Sequence, residues 1–433
     1  MTVNSKILNN KALISYQQAL EIINAIANKH LDNGVEKIKL IDAKNRLLAY
    51  DVLSPINVPS FNNSAMDGFA LKSEMVNTAI EKQGEIKLKI TGSVQAGDQA
   101  EINLEDKTSN FAWEIMTGAP VPAGFDAVIQ IENVIIEERN GNKYITILET
   151  VKKGRNIRQL GTDYKTNQTV ANKHTIIQAQ HIMALATVGV KNIDVIPKVK
   201  VAILSTGNEL AKKSSTTLNS GKIFNSNQPF LRAFSHDLNC DPVFVGRCKD
   251  DVEDFNKLID SALLKGVKII FSTGAVSMGK YDFIPQALQQ RGAKIHFHKA
   301  KIRPGKPILF AELPDGTIYF GLPGNPIAAA SGMRFFVSPF IRTMLGLPKE
   351  LPIKAKLLNA IYKKQGFRTF SKACARVNQQ GHMCVEMLLD QGSYQSRSFA
   401  LSNCWLILPE NVESIDAGEL VEIAPMVPNH GVI

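Results

Sequence analysis

Four cations fall within eight residues in the run Lys299-Ala-Lys-Ile-Arg-Pro-Gly-Lys306. In an extended chain, side chains two apart share a face, so Lys299, Lys301 and Arg303 are expected to project together, with Lys306 beyond a Pro-Gly turn. Such a group can hold an oxyanion, or it can be the solvated basic border of a sheet. Two carboxylates stand at loops dense in small residues: Glu209 in Ser205-Thr-Gly-Asn-Glu-Leu210, and Asp282 behind Ser272-Thr-Gly-Ala-Val-Ser277. Gly321-Leu-Pro-Gly-Asn-Pro326 is a third loop of this kind. Glycine lets a phosphate-bearing ligand approach the backbone, and Asp282 could equally serve as a helix N-cap. Cations for an oxyanion facing carboxylates for a divalent metal are what phosphoryl chemistry needs.

These loops need strands to carry them. Apolar runs at 199–204, 267–271 and 317–320 alternate with helical patterns at 228–238, 252–264 and 283–291, and a long helix follows Asn325. That alternation predicts a mostly parallel sheet with helices on both faces, its ligand loops gathered at the carboxyl edge. Upstream, Ser15 and Gln18 form a capping box for a helix reaching His30. Short β segments at 86–90, 111–116, 127–131 and 144–148 predict a small all-β domain. The stretch Val58 to Ala70 reads as a loop carrying unusually many apolar side chains, Phe61, Met66 and Phe69. Arg158 and Asp163 flank Gly161, and Thr117-Gly118 ends a strand; each suits a ligand or a plain loop. Alternating segments after the Pro348 to Pro352 hinge predict a C-terminal barrel or sandwich.

Composition bounds the partners. The 433 residues suffice for two to four domains, and no apolar run is long enough to span a membrane. The N-terminus lacks a signal-peptide core, so a cytoplasmic protein is expected. A net charge of +10 favours anionic partners. Without basic-aromatic interleaving or a helix-turn-helix, a small anionic substrate is favoured over nucleic acid. Five scattered cysteines read as core thiols, and His296 with His298, on one face of a strand, lack a third metal ligand.

In this order, Asn62-Asn-Ser-Ala-Met-Asp-Gly-Phe-Ala70, Met116-Thr-Gly-Ala-Pro-Val-Pro122, Ser205 to Leu210, Gly274-Ala-Val-Ser-Met-Gly279 with Asp282, Arg303-Pro-Gly-Lys-Pro307 and Gly321 to Pro326 resemble the signatures of the molybdopterin molybdenumtransferases, MoeA in bacteria and the gephyrin E domain in animals. The resemblance covers Ser15 to Pro409. It implies a multidomain α/β fold: a molybdopterin-binding-like α/β domain (189–347), an inserted β domain (56–149), a helical linker domain (1–55 and 150–188) and a C-terminal β barrel (348–433). It implies insertion of molybdenum from molybdate into adenylylated molybdopterin, with release of AMP, in a Mg²⁺-dependent step carried out by a homodimer. Molybdopterin adenylyltransferase and other cofactor-biosynthesis proteins are implied partners. Carried over, Asp163, Glu209, Asp250, Asp282 and Asn62 form the catalytic set, with Glu209 and Asp282 as metal contacts. Thr117, Arg158, Ser277, Lys299, Arg303, Lys306, Lys372 and Ser398 become substrate contacts.

The chain also departs from the family pattern. Asn62 and Asn208 stand where carboxylates are usual, Ala275 for Gly, Ala328 for Ser, Arg303 for Lys and Lys372 for Arg. A paralogue that binds molybdopterin without efficient insertion is the alternative these substitutions raise. The adenylyltransferase itself is disfavoured, because its Gly-Gly-Thr-Gly loop is replaced here by Gly274-Ala-Val-Ser277.

Overall fold

A computed structural model describes residues 13–31, 34–98, 110–211, 217–276 and 283–428. The chain forms two compact units, one of residues 37–195 and one joining residues 1–36 to 196–433. Helix α1 (Tyr16–Ala27) opens the second of these, its N-terminus closed by the reciprocal Ser15 and Gln18 capping box. It stops at Ala27, and Asn28 to His30 tighten into a 3₁₀ turn.

The 37–195 unit is built on a mixed six-stranded sheet: β1 (Gly68–Leu71), β2 (Ile86–Val94), β3 (Phe111–Ile115), β4 (Ala127–Gln130), β5 (Ile135–Arg139) and β6 (Asn142–Ile147), in the order β4-β1-β3-β2-β6-β5. Two findings correct the sequence reading. Helix α2 (Ser73–Gln83) lies in the expected 56–149 β domain, ahead of its first predicted strand, and its own Val76 is fully buried. The supposed loop from Val58 to Ala70 ends in strand β1, where Phe69 is buried in its own sheet core with Leu71 and Ile129. Gly68 makes this pairing possible, since a Cβ there would lie 1.9 Å from the Ile129 carbonyl oxygen. Of the three apolar residues noted, only Phe61 and Met66 are exposed. A separate core of Leu40, Leu48, Ile177 and Val195 packs around α3 (Ala179–Thr187).

The larger unit holds the predicted alternation: β7 (Val199–Thr206), α4 (Asn227–Asp237), β8 (Cys240–Cys248), α5 (Val252–Leu263), β9 (Ile269–Thr273), α6 (Ile284–Gln290), β10 (Lys294–His298), β11 (Ile302–Arg303), β12 (Leu309–Glu312) and β13 (Ile318–Leu322). The sheet order is β8-β7-β9-β13-β12-β10; the first four strands are parallel, and β12 is antiparallel to both of its neighbours, β13 and β10. Strand β9 is buried along its whole length, as a central parallel strand covered on both faces must be. The long helix is α7 (Pro326–Gly332), a π-helical stretch Met333–Val337 and α8 (Ser338–Met344).

Five further strands, β14 (Ile353–Leu357), β15 (Arg368–Val377), β16 (Met383–Met387), β17 (Cys404–Leu408) and β18 (Leu420–Pro425), close into a barrel through the β15 to β17 pairing. Its interior holds Leu357, Val385, Leu406 and Ile423. An aromatic joint ties this barrel to the helices: Phe335 stacks on Phe370 at 3.7 Å, and Tyr16 meets both Phe336 and Phe370 edge-on. Among the described residues no helix is long and apolar enough to cross a membrane.

Candidate active site

Parallel pairing puts the ends of three strands side by side. Ser205 lies beside Thr273, and Thr273 beside Leu322, so the three small-residue loops leave the sheet at one edge. They are bound to one another: the Gly274 N–H donates to the Leu322 carbonyl (3.2 Å), and the Thr206 hydroxyl to the Thr273 carbonyl (3.3 Å). A Cβ on Gly274 would sit 2.6 Å from the Thr206 carbonyl oxygen, so the loops could not close this tightly around another residue. Ala275 follows with φ of 51°, a left-handed conformation that costs a non-glycine residue about 1–2 kcal/mol. Three buried polar atoms nearby, Ser205 Oγ, Asn225 Nδ2 and Asn227 Oδ1, have no hydrogen-bond partner. Such atoms are open to a bond from a ligand or a water at this edge.

Two of the acidic candidates, Glu209 and Asp250, lie on adjoining loops at this edge. Glu209 is exposed, with its carboxylate folded against Gly207, where a Cβ would lie 2.5 Å from either oxygen. Asp250 accepts the Asn208 N–H at 3.2 Å, whereas its neighbour Asp251 caps α5 by accepting the Asp254 N–H at 2.9 Å. Asp250 therefore bonds the Glu209 loop, while Asp251 is taken up by the α5 cap. Ser277 and Asp282 lie outside the described residues.

The cation run lies against the barrel. Strand β11 pairs in parallel with β15, placing Arg303 beside Thr369, and the Lys306 ammonium sits 5.8 Å from the Phe367 ring centroid. Arg303 and Lys306 are exposed and Lys299 is half-buried. The expected simple alternation fails at Lys299, whose φ of 102° turns the chain before β11, so only Lys301 and Arg303 keep the two-residue relation. Gly305 packs on Ser331, whose hydroxyl donates to the Pro304 carbonyl at 2.9 Å. His298 Nε2 lies 2.6 Å from the Val276 carbonyl and so joins the cation run to the Gly274 loop. His296 turns to Glu312 instead, a bulge at this point having broken the shared face expected of the two histidines.

Lys372 and Ser398 come together, though not as open ligand groups. Lys372 is 1% exposed, its ammonium donating to the carbonyls of Gly392 and Gln395, each at 3.2 Å, and burial holds its pKa below the usual lysine value. The Ser398 hydroxyl donates to the Asp390 carbonyl at 2.7 Å. Both bond carbonyls of the 389–396 segment, which is stitched to the third sheet-edge loop by Asn325 Nδ2 to Ser393 Oγ (3.0 Å) and by the Ile327 N–H to the Ser393 carbonyl (2.9 Å).

In the 37–195 unit the other four candidates share one neighbourhood. Arg158 pairs with Asn63 across two short strands, Asn62 Oδ1 accepts the Leu160 N–H at 2.8 Å, and the Asp163 N–H donates to the Val58 carbonyl. Thr117 gives both its N–H (2.6 Å) and its hydroxyl (2.8 Å) to Asp67, and these bonds lower the Asp67 pKa below 3.8. Asp67, His298 and Asn325 are the polar residues that sequence reasoning left out of the site. The first and last stood in motifs already singled out; His298 was read only as half of an incomplete metal pair with His296.

Comparison with known proteins covers nearly the whole chain. Residues 14–189 match the MoeA N-terminal region (domain I and II), 202–343 a probable molybdopterin binding domain and 354–426 the MoeA C-terminal region (domain IV). The molybdopterin molybdenumtransferase of Synechococcus elongatus is 34% identical over 95% of this chain and 99% of its own, and that of Haemophilus influenzae 33% identical over 91% and 94%. A crystal structure of the molybdopterin biosynthesis MoeA protein from Pyrococcus horikoshii superposes with a TM-score of 0.79 at 28% identity, covering 95% of this chain and 99% of that one. The six ordered motifs thus lie on a MoeA domain sequence and a MoeA fold, and the chain belongs to the MoeA family.

Proposed function

We propose that this chain is a molybdopterin molybdenumtransferase: it takes molybdenum from molybdate into adenylylated molybdopterin and releases AMP. Family membership along its full length supports this activity. The observation that carries it to particular residues is the sheet edge, where three mutually bonded loops with orphaned polar atoms share one unit with the exposed cations Arg303 and Lys306. The Gly274 turn admits the substrate close to the backbone. Arg303 offers a bidentate fork to an oxyanion and Lys306 a point charge. Lys372 and Ser398 hold the 389–396 segment in place against Asn325.

Glu209 and Asp250, on loops joined through Asn208, are oxygen donors of the type Mg²⁺ takes, and Asp282 is the third carboxylate proposed for it. Bound Mg²⁺ would neutralise phosphate charge on the substrate. We further propose a cytoplasmic homodimer, supported by the exposed Phe61 and Met66, in which Asn62, Thr117, Arg158 and Asp163 serve substrate and Lys299 joins the oxyanion cations. The relatives, named as transferases, give no support to a binding-only paralogue.

The test is a paired single-turnover assay of AMP release and cofactor formation. Glu209→Gln should slow both by on the order of a hundredfold without lowering Tm, since the carboxylate is exposed. An unchanged rate with unchanged Mg²⁺ dependence would remove Glu209 from the mechanism.

A further inference from the structure

At the opposite ends of the same parallel strands lies a cavity of about 410 Å³, within the roughly 300–1,000 Å³ usual for small-molecule pockets. Lys29, Lys198, Lys200 and Lys268 line it, all exposed. Lys200 and Lys268 immediately precede the paired Val201 and Ile269, and the Lys268 N–H donates to the Lys200 carbonyl at 2.8 Å, so the two ammonium groups rise from neighbouring strands in register. Like charges so placed repel one another. Asp241 lies beside Lys200 on the other neighbouring strand, yet among the described residues none of the four lysines is in an ion pair. The cations therefore face solvent, where a ligand can reach them.

The floor is of the opposite character. Val199, Ile318 and Met344 are buried apolar residues, and at the rim the His30 ring leans on Phe340 at 6.4 Å between centroids. A simple inorganic anion would use the lysines and leave this apolar floor wet. A planar ring carrying phosphate satisfies both.

We propose that this cavity is a second ligand site, separate from the sheet-edge loops, for a phosphorylated heterocycle of mononucleotide size. The ring lies on the Val199, Ile318 and Met344 floor and the phosphate is held by the lysines. Occupancy screens the Lys200 to Lys268 repulsion, so binding weakens as salt rises.

The experiment uses the full chain with methyl-labelled methionine, titrated with AMP, adenosine and inorganic pyrophosphate. AMP should shift the Met344 methyl resonance saturably. Lys198→Glu with Lys268→Glu should weaken that response about tenfold or more, whereas Lys306→Ala, in the proposed active site, should leave it intact. A Met344 shift abolished by Lys306→Ala, or unaltered in the double variant, would overturn the proposal. Adenosine binding as tightly as AMP would refute the role of phosphate, and pyrophosphate binding with no response to AMP would refute the ring. Should the charge-reversed variant fail to fold, loss of the wild-type AMP response between low and high salt tests the same cations. A salt-independent response then rejects them.

Discussion

At the residue scale, the substitution of Asn62 for the usual carboxylate has a definite local consequence. Its Oδ1 accepts the Leu160 N–H, a bond that an aspartate oxygen makes equally well, so Asn62→Asp should leave folding unchanged. The amide is a poor base, and general acid–base help is typically worth about a hundredfold in rate. If the family carboxylate matters here, Asn62→Asp accelerates cofactor formation in single turnover. No acceleration over a robust wild-type rate would show that it is dispensable.

Asp67 gives a second residue-scale prediction. Its folded pKa lies below the ordinary 3.8, chiefly through the Thr117 N–H and then the Thr117 hydroxyl. The stabilisation is therefore fully present above the unfolded value and disappears as pH falls through the lower, folded value. In Thr117→Val the N–H bond survives, so a carboxyl-carbon NMR titration should show the Asp67 midpoint moving part of the way back toward 3.8. A midpoint that does not move would mean that the hydroxyl contributes nothing.

At the element scale, the 389–396 segment is held by side chains, not by regular structure. Lys372 grips two of its carbonyls from β15, Ser398 a third, and Asn325 fastens it to the loop after β13. Lys372→Met keeps the apolar stem and leaves acceptors unpaired, at a cost of about 1–3 kcal/mol. Hydrogen exchange in 389–396 should rise, and the substrate concentration needed for turnover should rise with it. Faster exchange with unchanged substrate requirement would confine the lysine to a purely structural role.

At the scale of the whole molecule, a solvent-exposed Phe61 and Met66 beside the candidate residues of the 37–195 unit suit a face covered by a second copy. Light scattering at micromolar concentration should return twice the 47.6 kDa chain mass. Replacing both residues by Ser should shift the equilibrium toward monomer. A monomer mass for the wild-type chain would exclude the dimer.

The sequence by itself determined the parts whose causes are local. The Ser15 capping box, the strand-helix alternation from Val199 to Met344 and the glycine loops all depend on neighbours in the chain, and each stands where the spacing placed it. The tertiary structure decided what distant segments do to one another. Phe69 looked like an exposed loop residue because the strands that bury it, β3 and β4, come some forty to sixty positions later. Lys299 left its expected face because the turn into β11 is dictated by pairing with β15 in the barrel. Lys372 was placed among the substrate contacts by its type alone; its burial and its bonds to the Gly392 and Gln395 carbonyls are set by residues some twenty positions away. The bond from the Asn208 N–H to Asp250, forty-two positions on, likewise exists only because folding creates it.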